Sequence, residues 1–433
     1  MNKLIAFLIM VLIAAGSFAA NYPQPTVTIS PNALDAFSRL NVSQPGTVFD
    51  SIFMTGPNYP IYEPINTNAT ATITWLTNQS SVKLSVWTAS SNIVFQSRQW
   101  PMYIPGKSQF VNMTVVIPTT SMGIGQIVRW GQFGDQNGLY FQCSNGVMGV
   151  GLRSFASGAV VDTIVNRSNW NVDVMDGSGT NNPSGLSLNI TNGIFSAIRY
   201  QWLGHGKVVY SVNYGGQFWP VHSFDHAGSN AVYMTTAVNP IRYEAKNLST
   251  TGGTTNSIVG TCATVITEGV DNNDLNRGYE LYQANQYNQS INTTQSEIIS
   301  FRPAKTFGGI TNRETVLPVR FNIYSDAVSL YEVQYGASLT GGTWYSSSSN
   351  SAVEWSTNST LMAAGTPVTG GFIVLGGSSG GEGMVMDSAS LNRYPIVLDN
   401  SGTNQSFGMS IIARTVSGTG VARGGFRIME MHR

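Results

Sequence analysis

His222 and His226 stand four residues apart with Asp225 between them, a spacing that on a helix would offer two metal ligands from one face. Pro220 ahead of them and Gly228 behind place the segment on a strand or loop, and no third ligand follows at a recognisable spacing. They are therefore read as structural histidines rather than a zinc site. Asp176-Gly177-Ser178-Gly179-Thr180 and Asp271-Asn272-Asn273-Asp274 put oxygen side chains on alternate residues as calcium loops do. Neither closes with the bidentate Glu of such a loop, and clusters of this composition ordinarily make turns. No metal or other cofactor is expected. A glycoside-hydrolysing pair would have to come from Glu244, Glu268, Asp162 or Asp173, none of which sits in a segment that marks a catalytic strand by itself. No Gly-x-Ser-x-Gly stretch stands between a strand and a helix, where a nucleophile elbow needs it. The expectation is a protein without catalytic activity.

Aromatic residues offer binding rather than bond-breaking chemistry. Trp130, Tyr140, Trp170, Tyr200, Trp202, Tyr210, Tyr214, Phe218 and Trp219 could stack on sugar rings, although aromatics in a sandwich usually serve its core. Tyr214 and Trp219 flank Gly215-Gly216 in an expected loop and are the candidate ligand-binding pair. Cys143 and Cys262 are the only cysteines, in two separate strand-like segments. They form either a disulfide, worth up to about 4–5 kcal/mol on the chain-entropy account, or two separate buried thiols. Eleven Asn-x-Ser/Thr sequons, at Asn41, Asn68, Asn78, Asn112, Asn166, Asn189, Asn247, Asn288, Asn292, Asn358 and Asn404, are candidate glycosylation sites.

The elements that must position these residues read as strands. In Val128–Gly185, Leu139, Phe141 and Cys143 alternate with Tyr140 and Gln142, each run stops at Asn or Gly, and Asn137-Gly138 and Asn145-Gly146 supply pairs suited to hairpin turns. Gln201–Gly204, Lys207–Val212 and Pro240–Glu244 repeat the strand pattern, as do Thr47–Met54, Thr70–Trp75, Val82–Trp87, Asn92–Gln96 and Gln109–Pro118. Asp271–Ser300 is dominated by Asn, Gln and Tyr, and strand patterns resume from Phe301. Apart from one helical turn expected at Ala33–Leu40 with Asn32 as its cap, no amphipathic helix is visible. The fold class is all-β: an antiparallel β-sandwich or jelly roll over 70–270 and a second, smaller sandwich over 301–433. Residues 21–69 are expected as an extended lead-in and 271–300 as a polar linker. Met1–Ala20, with Lys3, an apolar run and small residues at Ser17 and Ala19, reads as a secretory signal or an N-terminal hydrophobic anchor.

Charge excludes one class of partner. Lys plus Arg and Asp plus Glu number 22 each, and charged residues make up 10% of the chain, against roughly a quarter in an ordinary soluble domain. A neutral surface gives no general attraction to nucleic acid. Strands with so few charges to blunt their edges suit a homo-oligomer, and a trimer is favoured.

Long ordered blocks also carry a resemblance. Arg129–Gln142 (RWGQFGDQNGLYFQ), Leu152–Asp173, Gln201–Val208, Pro240–Ala245 and Thr261–Gly269 resemble successive blocks of a virion structural protein family of tailed bacteriophages and large DNA viruses. The likeness extends to Asp35–Ser43, Val48–Ser51, Ser97–Gln109 and Ser338–Asn358, and departs from the family pattern at Asn41 and Cys143. It implies a particle component at the virion surface, such as a decoration, fibre or adhesin subunit, with other virion proteins and a host surface glycan as partners. Two alternatives stay open: a secreted carbohydrate-binding lectin of cellular origin, and a secreted β-sandwich glycosidase.

Overall fold

The computed structural model describes residues 45–431 except 60, 66–69, 119–121, 250–254, 269–278, 285–287, 347, 375–383, 387–395 and 399–407. The expected signal at Met1–Ala20 and helical turn at Ala33–Leu40 lie outside the described residues. Among those residues there is no α-helix, only the 3-10 turns Thr77–Gln79 and Arg167–Asn169. None forms a helix long and apolar enough to cross a membrane.

Fifteen strands build the first sandwich. They are β1 (Pro45–Ile52), β2 (Tyr62–Ile65), β3 (Ala71–Leu76), β4 (Ser81–Val86), β5 (Asn92–Ser97), β6 (Gln109–Val116), β7 (Gln126–Phe133), β8 (Gly138–Ser144), β9 (Val147–Ser154), β10 (Val161–Asn166), β11 (Ile194–Tyr200), β12 (Val208–Tyr214), β13 (Gln217–Phe224), β14 (Ile241–Asn247) and β15 (Asn256–Glu268). An eight-stranded sheet runs β13-β12-β11-β6-β15-β4-β3, with β1 also along β15, and a seven-stranded sheet runs β10-β9-β8-β7-β14-β5-β2. Strand alternation gives each sheet one apolar face, and these faces meet in a core holding Leu84, Val111, Trp130, Phe141, Tyr210 and Val265. Polar tips of core aromatics fasten one sheet to the other. The Tyr210 hydroxyl donates to the Gly151 carbonyl at 2.7 Å, and the Trp130 indole N–H donates to Ser196 Oγ at 2.8 Å.

Two five-stranded antiparallel sheets form the second sandwich. Tyr279–Ala284 and Gln289–Ile291 both pair with Gly420–Met431, which pairs with Thr315–Ser325, and that strand with Met384–Met386. The other sheet runs Val353–Ser356, Ser296–Pro303, Met409–Thr415, Ser329–Tyr335, Thr366–Ile373. Their core includes Ile298, Phe301, Phe321, Tyr331, Trp355 and Phe426. The sandwiches touch where Met102 packs on Leu317, Met429 and Met431.

Three sequence expectations change. The lead-in ends early, because β1 and β2 place Phe49 and Tyr62 in the first core. The polar stretch 271–300 contains strands, because Leu281, Ile291, Ile298 and Ile299 reach the second core, while Tyr282 is exposed on the other face. Gln201–Gly204 is a turn between β11 and β12 rather than a strand. Gly206 N–H closes it on the Trp202 carbonyl at 2.8 Å, and a Cβ at Gly206 would lie 1.6 Å from the Gln201 carbonyl oxygen.

Candidate functional site

The face of the seven-stranded sheet turned away from the core concentrates the charged residues of the first sandwich. Because Leu139, Phe141 and Cys143 point inward, Tyr140 and Gln142 point outward, and strand register carries that side across the sheet. One row runs Glu63, Gln96, Arg242, Gly131, Tyr140, Gly151, Ile164, and the next runs Val94, Glu244, Arg129, Gln142, Gly149, Asn166. Arg153 and Asp162 face each other in a third.

Every carboxylate on this face is held by an arginine. Arg129 Nη1 lies 3.0 Å from Glu244 Oε1, with its Nε donating to Gln142 Oε1 at 3.3 Å. Arg153 grips Asp162 with two bonds of 2.8 and 3.0 Å and donates to the Gly134 carbonyl at 3.0 Å. Arg242 donates to Gln96 Oε1 and to Asp135 Oδ1, the latter at 2.7 Å, and Arg98 reaches Glu63 at 3.1 Å. Aromatic rings fill the spaces between them. Arg129 and Arg153 lie over Tyr140 at 5.3 and 5.7 Å, and Arg242 lies over Phe133 at 5.3 Å. Glycine at 151 is required here, since a Cβ there would fall 2.2 Å from Tyr140 Cε2. Arg129, Arg153, Arg242, Glu244, Gln142 and Tyr140 are all buried.

Burial pushes the Tyr140 hydroxyl well above its ordinary range, against the pull of Arg129. Asp162 is partly desolvated, which acts to raise its pKa, yet its bonds to Arg153 leave it below the usual carboxylate range. It is an anion fixed in place, unsuited to donating a proton. Glu244 and Asp162 lie on strands four apart, about 19 Å at ordinary strand spacing, with Arg129, Tyr140 and Arg153 between them. A hydrolytic carboxylate pair needs roughly 5–10 Å.

The remaining sequence candidates scatter. Asp173 accepts from the backbone N–H groups of Met175 and Ser184 at 2.8 and 3.0 Å, and Asp176 accepts from Ser178 N–H at 2.9 Å. The Asp176–Thr180 stretch is thereby a turn organised by its own side chains. Asp271–Asp274 lies outside the described residues. Glu268 ends β15 and is exposed. His222 Nδ1 accepts from Asn171 N–H at 3.2 Å, and His226 stacks on Tyr233 with ring centroids 4.2 Å apart. Among the described residues no three His, Cys, Asp or Glu side chains converge as metal ligands do.

Tyr214 and Trp219 sit on the two arms of the β12–β13 hairpin. Tyr214 is exposed, but Trp219 packs against the core, its indole N–H donating to the Tyr214 carbonyl at 3.3 Å. The aromatic cluster presented outward is a different one. Phe218 meets Phe110 and Phe195 edge-on at 5.2 and 5.1 Å on the outer face of the eight-stranded sheet, with Arg199 over Phe110 at 5.1 Å. Only Phe218 of these was visible from the sequence. The alternation of Val111 and Met113 with Phe110, and of Ile194 with Phe195, is the signal that would have found the others.

Of the two alternatives for the cysteines the structure shows separate free thiols, Cys143 buried and Cys262 only partly so. Cys143 faces the core from the seven-stranded sheet, whereas Cys262 lies on the eight-stranded sheet opposite exposed Ile52, pointing the other way. Two expected glycosylation sites are also closed. Asn112 in β6 is 8% exposed, and Asn247 at the end of β14 is fully buried, its amide donating to the Thr88 carbonyl at 3.2 Å. Asn78, Asn166, Asn189, Asn288, Asn292 and Asn358 are exposed, and Asn41, Asn68 and Asn404 lie outside the described residues.

The chain is thus an all-β protein of two sandwiches with an ion-paired outer sheet face. Among solved structures it is similar to a Bacillus licheniformis beta-glucanase, at 12% identity over 51% of this chain and 98% of that one, with a TM-score of 0.30. A legume lectin-like domain from Entamoeba histolytica aligns at 9% identity over 52% and 98%, TM-score 0.30. A carbohydrate esterase from the Shiga toxin-encoding bacteriophage phi24B aligns at 9% over 52% and 100%, TM-score 0.29. No protein-family profile matches the chain, and no curated protein matches its sequence.

Proposed function

We propose that this chain is a non-enzymatic, exported structural protein of a virion surface that contacts glycans. The observation that carries the non-enzymatic reading is the pairing of every carboxylate on the seven-stranded face with an arginine, Glu244 with Arg129 and Asp162 with Arg153 foremost. A charge network closed on itself orders a sheet and leaves neither a free base nor a proton donor. The blocks resembling virion structural proteins support the particle role. Phe110, Phe195 and Phe218 beside Arg199 are the surface offered to a sugar, whose C–H groups pack on aromatic rings while its hydroxyls accept from a guanidinium.

Immobilised glycans test the binding and the absence of chemistry together. Binding without release of reducing ends, lost in Phe195→Ala and Phe218→Ala, is the expected result. Release of reducing ends that Glu244→Gln abolishes would overturn it. Mass spectrometry of purified particles tests the location: many copies per particle support it, and a chain found only in the culture supernatant removes it in favour of a secreted lectin.

A further inference from the structure

A sheet edge with free backbone donors and acceptors is an adhesive line unless something blunts it. Most edges of the first sandwich are blunted. On the eight-stranded sheet, β13 contains Pro220, and segment 171–173 crosses it. Asn171 exchanges two 2.9 Å bonds with Ser223, and Val172 and Asp173 N–H both donate to the Val221 carbonyl. At the opposite side β1 is interrupted by a bulge at Val48, and the Phe53 carbonyl beyond it takes the Trp75 indole N–H of β3 at 2.8 Å. On the seven-stranded sheet, β2 is four residues long and includes Pro64.

Two edges remain, β3 at the end of the eight-stranded sheet and β10. β3 turns Ala71, Ile73 and Trp75 to the core and exposes only Thr72 and Thr74, whereas β10 carries apolar side chains outward, with one carbonyl, that of Val165, taken by the Trp170 indole N–H at 3.3 Å. β10 is a regular six-residue strand without Pro, Gly, Lys or a bulge, and among the described residues it has a neighbour on one side only. Two of its three apolar side chains face solvent, Val161 at 49% and Ile164 at 41% exposure, as does Val160 just before it at 48%, while Val165 packs against the core. Its one charge, Asp162, is drawn back along the sheet by the two bonds from Arg153 and projects no free carboxylate past the edge.

We infer that β10 is a homodimer interface, pairing antiparallel with β10 of a second copy about a two-fold axis normal to the sheet. The strand is complementary to itself in one register. Centred on Ile164, that register sets Ile164 against its own copy, Thr163 against Val165, and Asp162 against Asn166. No like charges then oppose each other, β-branched side chains meet β-branched ones, and an amide faces the carboxylate. A two-fold axis normal to the sheet keeps Asp162, Ile164 and Asn166 on the ion-paired face of both copies and Thr163 and Val165 on the core side. The two seven-stranded sheets become one, and the arginine–carboxylate faces lie side by side. The exposed sequon at Asn166 falls on the same edge, so a glycan there and the dimer exclude each other.

Analytical ultracentrifugation of the full chain, before and after Ile164→Lys, is the test. The substitution replaces a solvent-exposed side chain and leaves the monomer folded, while the dimer would bring two lysines directly opposite each other. The wild type is expected to be a dimer at micromolar concentration, weakened about tenfold or more by the substitution. Ile164→Cys should cross-link to its own copy under mild oxidation, with the Ile164-position peptides joined in the mass spectrum. A wild type monomeric at about 100 µM, or an oligomer that Ile164→Lys leaves intact and Ile164→Cys fails to cross-link, overturns the inference.

Discussion

Glu297 shows what one buried group does to the stability of its sandwich. Its Oε2 accepts from Ser359 N–H at 2.7 Å, Oε1 has no partner, and burial raises its pKa above the ordinary carboxylate value. A raised folded-state value means that the folded chain holds the proton more tightly. The stabilising contribution is therefore present at acid pH and lost as pH rises from the unfolded value through the folded one. Glu297→Gln keeps an acceptor for Ser359 and removes the charge, so it should raise the melting temperature at pH 8, by about 2–4 °C per kcal/mol gained, with the gain shrinking toward pH 4 in calorimetry. Gly151→Ala should act in the opposite direction. Its Cβ would meet a Tyr140 ring already held between two arginines, at a cost of about 1–3 kcal/mol in urea unfolding, and coupled to Tyr140→Ala. Thiol chemistry follows burial as well. Cys143 is fully buried with its thiol pushed up to about 12, so it should ignore thiol reagents until the protein unfolds. Denaturation without reductant should then release two titratable thiols.

At the scale of elements, the two Asn-Gly pairs diverge although the sequence presents them alike. Asn145 and Gly146 both take positive φ, +52° and +78°, and make the tight hairpin turn their types suggest. Asn137 does not. It is buried, its amide donates to Thr235 Oγ1 at 2.8 Å, and its Oδ1 accepts from Thr235 N–H at 2.9 Å and Phe155 N–H at 3.3 Å, so the β7–β8 loop is pinned to a distant segment. Asn137→Ala should cost about 1–3 kcal/mol and speed amide exchange at Thr235 and Phe155 while leaving Asn145 unchanged. The difference marks what was legible. Alternation placed Leu139, Phe141 and Cys143 inward and Tyr140 outward correctly, because strand periodicity is local. Nothing local said that the outward residues of β14, β7, β8, β9 and β10 would line up as arginine–carboxylate pairs, because their partners lie up to 115 positions away in sequence. The sequence offers Glu244 and Asp162 as candidate members of a hydrolytic pair and gives no sign of the arginines that hold them. The 271–300 stretch misled because two of its strands are only six and three residues long, too short for their alternation to stand out against the polar residues between them.

At the scale of the whole molecule, the same burial that makes the histidines poor metal ligands sets how the protein responds to acid. His222 lies among Tyr210, Phe224 and the Asn171 backbone, and His226 lies against Tyr233 and Phe224, near Asp225 and His205. Burial lowers both pKa values; for His226 the pull of Asp225 opposes it and His205 adds to it. Each has an Nε2 buried without a partner. The unfolded chain then binds more protons than the folded one once pH falls below the ordinary histidine value of about 6.5. The contribution of the two histidines is complete above that pH and declines below it, by at most about 1.4 kcal/mol per pH unit for each proton taken up. Asp162 loses its contribution only further down, as pH passes through its lowered value, whereas Glu297 works against the trend. Between pH 7.5 and 5 the histidines should dominate, and urea-unfolding free energies should fall along that interval. The double variant His222→Asn and His226→Phe, which keeps an acceptor for Asn171 N–H and a ring against Tyr233, should flatten the decline. An unchanged slope in the double variant would move the origin of the acid response away from His222 and His226.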